Sequence, residues 1–320
     1  MSQESASTPD YSLIIPVYKN EENIDDLLVA LTRLHDAVGR EMEVVFVVDG
    51  SPDHSYSLLY KALPQAGFPS QLVALSRNYG SFAAIRIGLE RACGKYCAVM
   101  AADLQEPPEL ITSFFAVLDE DEADVVFGMR TGRDDGFISG LCSAAFWALY
   151  RKLVSPDMPK GGVDLFGCNQ LVRKAILSIS EPNSSLVAQL FWVGFRRKFI
   201  PYRRLPREKG QSAWKFRSRF KYMLDSIFSY SELPVIILLW TGGIGLAVSF
   251  FFGITTLLAH LLGYIEVPGY TTLILLQVFF ASSLLFTQGI IASYLWRAFE
   301  NTKKRPLALV QNHTEFNRKD

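Results

Sequence analysis

The side chains best able to do chemistry in this 320-residue chain lie in four short polar runs and one basic stretch. The runs are Pro16, Val17, Tyr18, Lys19, Asn20, Glu21, Glu22; then Asp49, Gly50, Ser51, Pro52, Asp53; then Ser76, Arg77, Asn78, Tyr79, Gly80; and finally Asp103, Leu104, Gln105, Glu106, Pro107, Pro108, Glu109. Each follows directly on an apolar stretch, which is where a strand would hand over to a loop. Carboxylates, amides and a guanidinium repeated at such positions suit a polar, charged ligand. Two plainer readings stand beside that one: Asp49 to Asp53 is also strong turn chemistry, and Asp103 could cap a helix ahead of Pro107 and Pro108. The basic stretch, Arg196 to Lys221, holds eleven Lys or Arg residues against the single acid Glu208. It should sit on anionic lipid or meet an anionic substrate.

The elements that must position these residues are legible from their period. Tyr11–Val17, Glu43–Val48, Gln71–Leu75, Tyr96–Ala101 and Asp124–Gly128 are short apolar or β-branched runs that predict strands. Between them, Glu21–Val38, Asp53–Leu63, Phe82–Ala92 and Pro107–Leu118 predict helices. The alternation predicts an α/β domain with a mostly parallel sheet covered on both faces. Ligands in such sheets bind beyond the carboxyl ends of the strands, where the four polar runs lie.

A change of solvent follows. Leu233–Ile265 and Val267–Trp296 contain no Asp, Glu, Lys or Arg. Each exceeds the roughly 20 residues that cross a bilayer as a helix, so a two-helix transmembrane hairpin is expected. Basic residues flank it on one side only, in the 196–221 stretch and at Arg297, Lys303, Lys304 and Arg305. That asymmetry places the head and both termini in the cytoplasm, making a multi-pass protein of the cytoplasmic (inner) membrane. The expected division is 1–195 catalytic head, 196–232 basic juxtamembrane segment with an amphipathic interfacial helix, 233–298 hairpin and 299–320 cytoplasmic tail, the tail mobile after about Gln311.

Net charge is zero, yet residues 1–195 hold 15 basic and 25 acidic residues. A basic stretch beside a membrane span argues against a nucleic-acid partner. Cys93, Cys97, Cys142 and Cys168 lack zinc-type spacing and read as reduced structural thiols. His35, His54, His260 and His313 are too scattered for a metal cluster. The polar start, MSQESASTPD, has no apolar core, so no signal peptide is expected.

The order and spacing of the four runs, together with the membrane context, resemble the GT-A (Rossmann-like) fold of family 2 glycosyltransferases. The closest likeness is to the polyprenyl-phosphate glycosyltransferases, the group that includes dolichol-phosphate mannose synthase and bacterial undecaprenyl-phosphate sugar transferases. The resemblance spans nearly the whole chain. It implies a nucleoside diphosphate sugar as donor, with Pro16, Tyr18, Asn20, Asp49 and Arg77 matching donor-binding positions, and Asp49 foremost for the base or ribose. It implies Mg2+ or Mn2+ held by Asp103 and Gln105 to neutralise the departing diphosphate. Gly128, Met129, Arg130 resembles the family's Gly-Ser-Arg. Gly162 to Cys168 resembles its second acidic region, which makes Asp103, Asp164 and Arg130 the catalytic candidates. Arg203, Arg207, Ser212 and Lys215 fall in a segment resembling the family's Arg-x-x-Gly-x-Ser-Lys, and so would hold the acceptor, a polyprenyl phosphate at the lipid bilayer.

The chain departs from the pattern at three places. Val48 and Ala101 stand where acids are expected, and Ala213 stands for a lysine. The resemblance therefore implies inverting sugar transfer to polyprenyl phosphate, with two alternatives open: another lipid-linked acceptor, or a membrane scaffold with degenerate motifs. Sugar, nucleotide, prenol length and oligomeric state, including a homo-oligomer, are not specified by the sequence.

Overall fold

The computed structural model describes residues 9–131, 151, 158–159, 163–181, 184–205, scattered residues between 236 and 263, and 269–317. Within these, short apolar runs become strands and the amphipathic stretches between them become helices. In chain order they are β1 (Tyr11–Val17), α1 (Ile24–Val38), β2 (Met42–Val48), α2 (Ser55–Ala62), β3 (Ser70–Leu75), α3 (Ser81–Arg91), β4 (Tyr96–Val99), α4 (Glu109–Asp119) and β5 (Val125–Arg130). These match the sequence expectations to within a few residues. There follow β6 (Val163–Asn169), α5 (Gln170–Ser178), α6 (Leu186–Trp192), β7 (Arg197–Tyr202), α7 (Tyr270–Thr302) and β8 (Val310–Phe316).

The sheet order is β7-β5-β6-β4-β1-β2-β3-β8. Its centre, β4-β1-β2-β3, is parallel, and its strands are buried on both faces, as the unbroken apolar sequences require. Alternate residues of β1 face opposite layers. Leu13, Ile15 and Val17 pack with residues of α1, α2 and α4, while Ile14 packs with those of α3, α5 and α6. Register places Val17 beside Val48 and Val48 beside Ala74, so the loops after β1, β2 and β3 emerge side by side.

Two expectations are corrected and one is refined. The sheet is mostly parallel, as expected, but mixed: β6 lies antiparallel between β4 and β5, and β8 antiparallel beside β3. The sheet also extends past residue 195, since β7 pairs in parallel with β5. The expected mobile tail instead contributes a strand over residues 310–316. Val310–Phe316 pairs antiparallel with β3, whose outer edge would otherwise expose its ladder groups.

That last pairing completes a buried polar network. Glu43 on β2 is 4% exposed and accepts from Ser12 Oγ (2.6 Å), the Cys93 amide (2.5 Å) and Gln71 Nε2 (2.9 Å). Gln71 Oε1 in turn lies 3.0 Å from His313 Nε2 on β8. Cys97 and Cys168 are buried thiols, and burial pushes Cys97 up to about 12, in keeping with a structural role.

The second apolar stretch lies on α7, where Phe279–Thr302 is long and apolar enough to cross a membrane. It is the one such helix among the described residues. The first expected span, 233–265, falls largely outside them.

Candidate active site at the carboxyl ends of the strands

Four loops leave the carboxyl ends of β1 to β4 at one end of the sheet, and in the first three, side chains from one loop hold the backbone of its neighbour. Asp53 joins the first two. Its carboxylate accepts from Ser51 Oγ (2.6 Å), Ser55 Oγ (2.9 Å) and the Glu21 amide (3.1 Å), while Glu21 Oε2 accepts from the His54 amide (2.9 Å). Ser51 Oγ also accepts from the Lys19 amide at 2.8 Å, where Lys19 has a left-handed φ of 55°. Burial alone would push the Asp53 carboxyl up, but these hydrogen bonds outweigh it and hold it below the usual range. Tyr18 and Asn20 sit half-buried at the head of this loop, and the Tyr18 amide donates to Asn20 Oδ1 at 3.0 Å. Pro16 lies within β1, opposite Val47.

Asp49 joins the second and third loops. Only 3% exposed, its carboxylate accepts the amide protons of Tyr79 (2.7 Å) and Gly80 (2.8 Å). Burial raises its pKa, opposed by those two amides and by Arg77. Gly50 has φ 55°, and a Cβ there would stand 2.2 Å from the Arg77 carbonyl carbon, so only glycine lets the loops approach this closely. Arg77 is exposed, with its guanidinium 4.3 Å from the Tyr79 ring centroid. Asp49 therefore shapes the floor of the site. Its carboxylate is engaged by backbone, where the sequence suggested a direct contact with base or ribose.

The fourth loop carries the expected metal ligands. Asp103 is half-buried, and its Oδ1 accepts from the Gln105 amide at 3.4 Å across Leu104, which has φ 52°. It does not cap α4, whose capping position is Pro108, without a side-chain hydrogen bond. Gln105 is 9% exposed and donates its Nε2 to the Leu205 carbonyl (3.3 Å), while the Leu205 amide donates to the Gln105 carbonyl (2.8 Å). Glu106 lies beneath, 3.5 Å from Arg204 Nε. No group of three or more His, Cys, Asp or Glu side chains converges among the described residues. The donor set is one carboxylate and one amide oxygen. Both are hard ligands, too few to hold a divalent ion alone but suited to Mg2+ or Mn2+ shared with a diphosphate. Ala101 is half-buried, so an acid there would have reached the same loop, whereas Val48 is packed in the core.

Arg130 ends β5 half-buried, and Arg203 is exposed just past β7. Register pairs Val163 with Met129, which puts the backbone of Asp164 at the same end of the sheet. The Asp164 side chain, Arg207, Ser212 and Lys215 fall outside the described residues. Sequence reading missed the Tyr79 and Gly80 amides, the Ser51-Asp53-Ser55 network and the Leu205 contact. Gly50 beside Asp49 was the one local sign that two loops approach closely.

Residues 12–178 match the family described as glycosyl transferase family 2. A protein of Bacillus subtilis (strain 168) named as a glycosyltransferase, CsbB, is 32% identical over 94% of this chain and 91% of its own length. An undecaprenyl-phosphate 4-deoxy-4-formamido-L-arabinose transferase of Edwardsiella ictaluri is 28% identical over 97% of this chain and 95% of its own. A prophage bactoprenol glucosyl transferase homolog of Escherichia coli (strain K12) is 27% identical over 94% and 98%.

Proposed function

Because the chain belongs to glycosyl transferase family 2 and is a glycosyltransferase with a GT-A-like mixed sheet, we propose that it transfers a sugar from a nucleoside diphosphate sugar to a polyprenyl phosphate, of the undecaprenyl or dolichyl kind, at the cytoplasmic face of the membrane. The observation that carries this reading is the length of the likeness to two relatives named for undecaprenyl phosphate and bactoprenol. It runs over 97% and 94% of this chain, and so takes in the apolar carboxyl-terminal region as well as the head.

The chemistry follows from charge. An oxygen of the acceptor phosphate attacks carbon 1 of the sugar as the bond from that carbon to the diphosphate breaks, and the electron pair leaves on the nucleoside diphosphate. One in-line displacement inverts the anomeric centre. A phosphate monoester, with a second pKa of about 6, is largely dianionic at neutral pH, so the attacking oxygen needs no strong general base. Tyr18, Asn20 and Arg77 receive the nucleotide between the first and third loops, over a floor set by Asp49. Asp103 and Gln105 would hold Mg2+ or Mn2+, which would supply positive charge against the departing diphosphate. Asp164 orients the sugar or balances positive charge at carbon 1, and Arg130 meets phosphate charge. Arg203, Arg207, Ser212 and Lys215 take the lipid phosphate.

The test is product formation by the full chain from a panel of radiolabelled nucleotide sugars with purified undecaprenyl phosphate. The expected result is an organic-extractable labelled lipid with release of nucleoside diphosphate. Failure with every donor, or hydrolysis without a lipid product, would reject the reaction.

A further inference from the structure

Two chain segments join the head to the apolar carboxyl-terminal region, and they belong to the two outermost strands of the sheet, β7 and β8. β7 leaves the sheet at the site end, and β8 enters it there. β7 runs parallel to β5 and finishes with Tyr202 beside Arg130. Three residues on, Leu205 exchanges hydrogen bonds with Gln105 in the fourth loop. β8 runs antiparallel to β3, so the chain arriving from α7 enters the sheet with Val310 opposite Leu75, at the carboxyl end of β3. Just before it, the Leu309 carbonyl accepts from the Ser76 amide at 2.9 Å, the first residue of the third loop. Each connection is thus tied to a loop of the candidate site.

The start of the second connection has the chemistry of a lipid interface. Lys303 Nζ lies 5.1 Å from the Trp296 ring centroid and 4.3 Å from that of Phe299, and both rings are exposed. Lys304 and Arg305 follow. Aromatic rings with a snorkelling lysine at the end of an apolar helix seat at headgroup level. From Lys303 to Leu309 there are seven residues, whose reach is at most about 25 Å. Along its length β8 is secured to the head: Asn312 Nδ2 donates to Tyr56 Oη (2.8 Å), Asn317 Nδ2 to the Leu63 carbonyl (2.8 Å), and Phe316 meets Tyr60 edge-on.

Resting on the reading of α7 as a membrane span, we propose that residues 303–309 and β8 form a strap that holds the site end of the head against the lipid surface, its seven-residue link setting how far the donor loops stand from the lipid phosphate. One connection would leave the head to swing about a single point. Two, at opposite edges of an eight-stranded sheet, fix its tilt and present the four loops to the bilayer.

The test uses the full chain in vesicles of phosphatidylethanolamine and phosphatidylglycerol that carry a headgroup quencher. A fluorophore is placed, in a background with the native cysteines replaced, at Glu22→Cys on the site end or at Asp36→Cys near the opposite end of the sheet. The strap predicts stronger quenching at the Glu22 position. Inserting seven Gly and Ser residues between Arg305 and Pro306 should lessen that quenching. It should also raise KM for vesicle-borne undecaprenyl phosphate about threefold, the expected loss of effective concentration on doubling a tether, while Kd for UDP and GDP stays within twofold. Equal quenching at both ends of the unaltered chain, or quenching unchanged by the insertion, overturns the strap. An unaltered chain that makes no glycosylated lipid rejects the proposed reaction instead, and the quenching still decides the strap.

Discussion

The Asp49 carboxylate and the Gly80 amide stand 2.8 Å apart across two loops that are 31 residues distant in sequence, with the Tyr79 amide on the other carboxylate oxygen at 2.7 Å. An acid at a strand end here anchors the neighbouring loop. Asp49→Ala would strand two half-buried amides, at about 1 to 3 kcal/mol each, so we expect a stability loss on the order of 2 to 6 kcal/mol in urea unfolding. Nucleotide affinity should fall with it. Arg207→Ala should behave oppositely, raising KM for polyprenyl phosphate roughly 10 to 150-fold at unchanged nucleotide affinity, the effect of one lost charge-assisted phosphate contact. Equal loss of both substrates in Arg207→Ala would place that arginine elsewhere.

Gly50 and Gly39 form an internal control. Both have positive φ, 55° and 65°, but a Cβ at Gly39 meets nothing within 4 Å while one at Gly50 strikes the Arg77 backbone. Gly39→Ala should cost about 1 kcal/mol from backbone strain alone. Gly50→Ala should cost several times more and weaken nucleotide binding, because the second and third loops must part. Similar melting temperatures for the two variants would contradict this.

Metal affinity should be weak without nucleotide, since Asp103 and Gln105 supply only two oxygens. Ala101→Asp adds a second carboxylate to the same loop. We expect Mn2+ binding by that variant, measured calorimetrically without nucleotide, to tighten clearly, whereas Asp103→Ala should abolish the Mn2+ dependence of nucleotide binding. Tight donor-independent Mn2+ binding by the natural sequence would contradict the shared-ligand arrangement.

His313 makes the docking of β8 sensitive to pH. Burial, and then the positive charge of Arg91 on α3, push its pKa below the ordinary value, with Glu315 on its own strand acting the other way. A histidine held neutral in the fold stabilises it fully above the ordinary imidazole value of about 6.5. That contribution is lost as pH falls below 6.5, because the unfolded tail takes the proton first. Amide protection of Val310–Phe316 in hydrogen exchange should therefore fall between pH 7.5 and 5.5, after correction for intrinsic rates. His313→Gln should remove that dependence.

Much of this was legible in the sequence, for identifiable reasons. β1 to β3 are buried on both faces, so their apolar runs are continuous and end sharply at turn residues, and the four loops inherit their places from them. β8 was not legible: Val-Gln-Asn-His-Thr-Glu-Phe is polar on an outer edge and becomes a strand only because β3 offers unpaired ladder groups. The partners of Asp49 were equally hidden, because backbone amides of a distant loop leave no side-chain signature. Asp103 was ambiguous between ligand and cap until α4 proved to begin at Glu109.

The Glu43 network has a consequence for how the protein is made. Its outermost member, His313, lies on a strand that leaves the ribosome only after both apolar stretches have been synthesised, so the head emerges first with the outer edge of β3 open and Gln71 lacking its imidazole partner. An open edge is an invitation to pair with another chain. Until residues 310–316 are synthesised and pair with β3, that edge stays open to any other strand.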